Sequence, residues 1–208
     1  MNNLLELLHI AEKLKKELRH SWLSNGRQES VAEHSWRVSL MAMILYPHLQ
    51  IKVDLLKSLK IAIIHDLAEA EAYDIPAFET HREQEKKEVE NNAMKKIQKL
   101  NNNKIDEDIF SLWLEYEEQK TNEAKFIKAL DKIEVRLQHN EADIKTWNEI
   151  EFPRSLYVAD EFCKIDKALE ELNELIKNDS KLKIKESGKD FIKVQDEAEK
   201  LSNSKKIK

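Results

Sequence analysis

Polar residues stand in three places where a helical repeat calls for apolar ones. From Val31 the inward row reads Val31, His34, Val38, Met41 and Leu45, so His34 occupies a core register. A second row, Leu55, Leu59, Ala62, Ile63 and Leu67, carries the dipeptide His65-Asp66 at its inner end. A third, Ala124, Ile127, Asp131 and Val135, sets Asp131 against the core. A buried carboxylate without a partner costs several kcal/mol, so it needs a cation or hydrogen bonds. Two imidazoles and two carboxylates from three helices make a ligand set for one divalent cation. Nitrogen and oxygen donors without sulfur suit Mn, Co, Mg, Fe, Ni or Zn and leave positions for water. Taken singly, each residue has a simpler reading: a core histidine with a hydrogen bond, or an Asp131 paired with Lys128 or Lys132. His65 and Asp66 are consecutive and cannot share one helical face, so the third helix is expected to bend or end there.

The elements that must carry these residues are helices. The 208 residues contain two glycines and three prolines, against roughly 15 and 10 at average usage. Glycine-rich turns of sandwiches and glycine loops that cradle phosphate are excluded by that shortage. One amphipathic stripe runs through Leu4, Leu7, Leu8, Ala11, Leu14 and Leu18, and Ser24 to Gln28 is a turn. Ser30-Val31-Ala32-Glu33 has the form of a capping box, opening a helix that Pro47 ends. Asp54 caps the next segment, Leu55 to about Ala70, and Thr80 to Glu83 is a second capping box. Asn101 to Asn103 marks a loop, and further helices are expected over 106–118, 122–144 and 155–177. No run alternates as a strand. The fold class is all-α, with one domain over 1–178 and a lysine-rich tail over 179–208 that holds a possible short helix.

Order and context connect the separate signals. Glu29 to Ser35 around His34, then Ile64-His65-Asp66-Leu67-Ala68-Glu69, then Ala129-Leu130-Asp131-Lys132 resembles the H…HD…D signature of HD-domain phosphohydrolases. The likeness is closer to their 5'-deoxynucleotidase branch. Arg19 and Trp22 match an Arg and a Trp ahead of the first motif, Glu69 matches a Glu three residues after the HD, and Asp74-Ile75 matches a later Asp. Glu115-Tyr116-Glu117, followed by Thr121 to Ala124, matches a Glu-Tyr-Glu element. The resemblance covers roughly residues 10 to 145. Two departures mark it: Tyr73 replaces a glycine before Asp74, and Arg19 and Trp22 are not adjacent.

The resemblance implies a compact multi-helix bundle with a metal site in its core, held by His34, His65, Asp66 and Asp131. It implies hydrolysis of deoxyribonucleoside 5'-monophosphates by a metal-activated water. Glu69 is then the candidate general base or acid, and Asp74 a residue assisting the leaving group. Arg19 is the candidate phosphate ligand, with Arg27 a second, and Trp22 would stack on a base or exclude a ribose 2'-hydroxyl. Two alternatives stay open: a triphosphohydrolase acting on deoxynucleoside triphosphates, and a non-catalytic helical scaffold that binds metal. The expected partner is a small nucleotide. With net charge −5, no stable nucleic-acid binding is expected, and the longest near-apolar stretch, Val38 to Tyr46, is far short of a membrane span. The single cysteine excludes an intramolecular disulfide, a cytoplasmic location is expected, and members of the branch are commonly homodimers.

Overall fold

Each central helix starts at a side chain that satisfies its exposed amides. Ser30 accepts from Glu33 N while the Glu33 carboxylate accepts from Ser30 N, a complete capping box that opens α2 (Val31–Leu45). Asp54 caps α3 (Leu55–Ile64), and Thr121 caps α7 (Asn122–Glu141). These three helices bury one shared cluster that includes Val38, Ala42, Ile61, Ala62, Phe126, Ile127, Leu130 and Ile133. Tyr116 joins it from α6 (Asp106–Glu118). The computed structural model describes residues 2–72, 83–100 and 106–205.

A second cluster packs α1 (Asn2–Ala11) and α5 (Glu83–Leu100) through Leu7, Ala93, Met94 and Ile97 against Val31, Leu67, Ala68 and Trp113. The third helix does end at Ile64: His65 is its C-cap, residues 65–68 form turns, and a short α4 follows (Glu69–Ala72). The break before α4 frees His65 and Asp66 from a single helical face, as their adjacency required.

Two expectations are corrected. The first helix stops at Ala11, and after a short 3-10 turn the chain forms a hairpin of β1 (Leu18–Trp22) and β2 (Gln28–Ser30). The strands pair antiparallel, with Leu18 opposite Ser30 and Trp22 opposite Gln28, around a turn in which Gly26 has φ 83°. No apolar alternation announces these strands because β1 turns polar side chains inward. Arg19 reaches Asp66, and buried Ser21 reaches His139. The helix expected over 155–177 is broken: a short α8 (Glu151–Arg154) precedes the span, and within it turns and a short α9 (Asp160–Cys163) come before α10 (Lys167–Glu186), which Asp166 caps.

The division expected at residue 178 falls inside α10. The tail segment forms α11 (Phe191–Lys205), whose Val194 and Ala198 complete a third cluster with Trp147, Phe152, Leu156 and Ile184. The second capping box, the asparagine loop, Tyr73 and Asp74 lie outside the described residues.

Candidate metal centre

Two helix-borne side chains, His34 of α2 and Asp131 of α7, meet two from the turn after α3, His65 and Asp66. His34 Nε2 lies 3.4 Å from His65 Nε2, 3.4 Å from Asp131 Oδ1 and 3.7 Å from Asp66 Oδ2. His65 Nε2 lies 3.3 Å from Asp66 Oδ2. His34 and His65 are buried, and the Asp66 side chain retains 17% exposure, so the cluster is open to solvent on the Asp66 side.

The ring orientations fit a cation. His65 Nδ1–H donates to the Ala62 carbonyl at 2.8 Å, which fixes the tautomer and leaves Nε2 free to ligate. His34 Nδ1–H donates to Glu134 Oε2 at 2.5 Å, turning its Nε2 toward the same point. Two ring nitrogens and two carboxylate oxygens aimed at one another are the donor set of a divalent ion in an N/O site. His34, His65 and Asp66 each place a donor atom within 4.8 Å of the others, and Asp131 joins them through His34.

Electrostatics agree with that reading. Burial alone would raise the pKa of Asp66, but the His65 and His34 imidazoles and the Arg19 guanidinium hold its carboxyl below the usual range. Burial likewise opposes ionisation of Asp131, and Lys132, His34 and Lys128 overcome it. For His34, burial and Arg19 disfavour a proton, yet Glu134 and Asp131 prevail and lift its pKa to about 10.

Arg19 stands beside the centre, its Nη1 3.3 Å from Asp66 Oδ2 and its Nε 3.5 Å from Glu29 Oε2. Trp22 ends the same strand half-buried, and its carbonyl accepts from Gln138 Nε2 of α7 at 2.7 Å. Glu69 opens α4 and is buried, its backbone N–H donating to the Asp66 carbonyl at 3.0 Å. Arg27 is directed elsewhere: it forks onto both Glu33 oxygens, at 2.9 and 2.6 Å, and onto the Gln28 carbonyl. His139 belongs to a separate group, with Nε2 3.3 Å from Glu151 Oε1 and 3.4 Å from Ser21 Oγ.

Sequence reasoning missed Glu134 and Glu29. Glu134 follows Asp131 by three residues on the inward side of α7, so a glutamate in that row was the available signal. Glu29 is buried on β2, a strand without apolar alternation, and gave no periodic signal. Burial, reinforced by Glu134, raises its pKa to about 7.

Known proteins resemble this chain in sequence and fold. A family model described as an HD domain matches residues 11–173. The 5'-deoxynucleotidase HDDC2 of Dictyostelium discoideum is 37% identical over 145 residues, covering 66% of this chain and 76% of that protein. The Homo sapiens protein of the same name is 36% identical over 144 residues, covering 67% and 68%. A crystal structure of a predicted metal-dependent phosphohydrolase from Magnetospirillum magnetotacticum MS-1 superposes with a TM-score of 0.74 at 25% identity, over 86% of this chain and 94% of that one. By the match over most of its length and by these relatives, the chain belongs to the HD domain family.

Proposed function

We propose that this chain is a metal-dependent 5'-deoxynucleotidase, converting a deoxyribonucleoside 5'-monophosphate and water to a deoxynucleoside and phosphate. The observation that carries the reading is the convergence of His34 from α2, His65 and Asp66 from the turn after α3, and Asp131 from α7, with Arg19 at its edge. The 5'-deoxynucleotidase names of the relatives support the substrate class. These four residues would hold one divalent ion, which supplies an acidified water and neutralises charge on the phosphoryl oxygens. The nitrogen and oxygen donors suit Mn, Co, Mg, Fe, Ni or Zn.

The chain's own groups do the remaining work. Arg19, held between Asp66 and Glu29, offers N–H donors to the substrate phosphate. Glu69, one tight turn beyond the HD pair, takes a proton from the attacking water. Asp74 returns a proton toward the departing 5'-oxygen. Trp22, on the strand that carries Arg19, packs on the base or closes the space of a 2'-hydroxyl. The same reading includes a cytoplasmic location, in keeping with the single buried thiol of Cys163, and a homodimer. Trp36, Leu40, Met43 and Ile44 form one exposed apolar face of α2 that a second copy would cover.

The test is to strip the protein of metal, restore Mn, Co, Mg, Fe, Ni or Zn singly, and measure phosphate release from deoxynucleoside and ribonucleoside monophosphates. Phosphate from the deoxy series, lost in His65→Ala, is the expected result. Tripolyphosphate released from deoxynucleoside triphosphates would replace this reading with the triphosphohydrolase one. No hydrolysis with any metal would leave a metal-binding scaffold.

A further inference from the structure

Asp131 is held from the side opposite His34. Its Oδ1 faces the imidazole, while Oδ2 accepts from Tyr116 Oη at 3.0 Å and from Lys132 Nζ at 2.9 Å. Tyr116 comes from α6, which contributes none of the four ligands. Its side chain is buried in the shared core, and its ring meets His65 edge-on at 5.1 Å between centroids. One side chain thus touches a ligand from α7 and a ligand from the end of α3.

The hydroxyl has little freedom. Lys128 Nζ donates to Tyr116 Oη at 3.0 Å and lies 4.4 Å from the ring centroid. The oxygen accepts there, and its single proton goes to the Asp131 carboxylate, which only accepts. Oδ2 is occupied by two donors, so Asp131 offers one oxygen, Oδ1, toward the histidines. Without the Tyr116 hydroxyl the carboxylate loses its link to α6, while the His65 ring keeps the aromatic neighbour and stays fixed by the Ala62 carbonyl.

We propose that Tyr116, itself held by Lys128, is a positioning residue that fixes Asp131 as a one-oxygen ligand and thereby sets the affinity of the centre for its divalent ion. The inference rests on the metal reading above. Groups that orient metal ligands typically change affinity or activity by about 10- to 100-fold when removed. Tyr116→Phe keeps the ring against His65 and removes only the hydroxyl, so it isolates the claim.

The experiment is calorimetric titration of metal-stripped protein with Mn²⁺, together with thermal melts in chelator. The expected result is that wild type binds one Mn²⁺ and that Tyr116→Phe binds it about 10-fold or more weakly. A folded Tyr116→Phe protein with unchanged Kd overturns the proposal, even if its melt in chelator is lowered, because a purely structural tyrosine would behave in that way. Should Tyr116→Phe fail to fold, Lys128→Met decides. That variant keeps aliphatic cover on the ring and removes both the donor that orients the hydroxyl and a cation 3.8 Å from Asp131 Oδ2; losing the cation alone would tighten Mn²⁺ binding, so weaker binding supports the proposal, and an unchanged or tighter Kd overturns it. Wild type that binds no divalent ion would overturn the metal reading itself, an outcome distinct from equal binding by wild type and variant.

Discussion

The four proposed ligand side chains are supported unequally, and that inequality predicts how variants behave. His65 is oriented by a backbone carbonyl, which no substitution removes, whereas His34 depends on the carboxylate of Glu134. Glu134→Gln keeps the shape and loses the charge that holds the His34 ring, so Mn²⁺ affinity is expected to fall by about 10- to 100-fold. Titration of the metal-stripped variant checks it. Glu69→Gln has the opposite signature: metal content is retained and phosphate release falls by about 10²- to 10⁴-fold, the usual range for a proton-transfer group. Equal turnover in Glu69→Gln and wild type removes Glu69 from that role. The ligands were legible because a polar side chain in an apolar helical row violates the pattern. Glu134 broke the same pattern three residues after Asp131, but it is read only once Asp131 is taken as a ligand needing its own surroundings. Glu29 was beyond reach, since its burial comes from a strand that the sequence pattern did not announce.

At the level of elements, the hairpin is the part that composition concealed. Its inward residues are polar and their partners lie on α7, α8 and the α3 end, so no local periodicity could reveal it. His20 on β1 and His139 on α7 both approach Glu151 Oε1 of α8, at 3.1 and 3.3 Å, tying the strand to two helices. The junction from β2 into α2 is held by Glu33, which closes the capping box and receives Arg27. The Arg27 hydrogen bonds, aided by those from Ser30 and opposed by modest burial, lower the Glu33 pKa from 4.5 to about 2. The folded chain therefore binds fewer protons at Glu33 than the unfolded chain between these values. Its contribution is full above pH 4.5 and is lost as pH falls toward 2. Because both side chains are substantially exposed, the contribution is small and weakens with salt. Urea melts at pH 5 and pH 3 check it: wild type should lose more stability than Glu33→Gln across that interval. Ser30→Ala removes the cap itself and should cost about 1 kcal/mol in the same assay.

Across the whole molecule, chemistry and cover are divided between different clusters. The four proposed metal ligands lie beside the core of α2, α3 and α7, whereas α11 packs on the third cluster. A helical fold was legible from two glycines and three prolines, and both glycines fall where φ is positive, at 83° for Gly26 and 79° for Gly188. The docking of α11 was not legible, because Phe191, Ile192, Val194, Ala198 and Leu201 follow a lysine-rich, polar stretch and do not by themselves distinguish a packed helix from a solvated one. Val194 and Ala198 matter only because Trp147, Phe152 and Leu156 present a surface that they complete. Val194 is buried in that contact, so Val194→Asp sets a carboxylate against three apolar side chains, at a cost of about 2–4 kcal/mol. For a chain of this length that corresponds to a fall in Tm of roughly 5–15 °C. The centre itself should be untouched: no ligand belongs to the third cluster, so Mn²⁺ affinity at 20 °C is expected to match wild type. A variant that melts early yet binds metal normally would show that the tail stabilises the bundle without shaping its site. Parallel loss of stability and affinity would mean that the Glu151 contacts carry the tail's packing through to β1, and from there to Arg19 and Asp66.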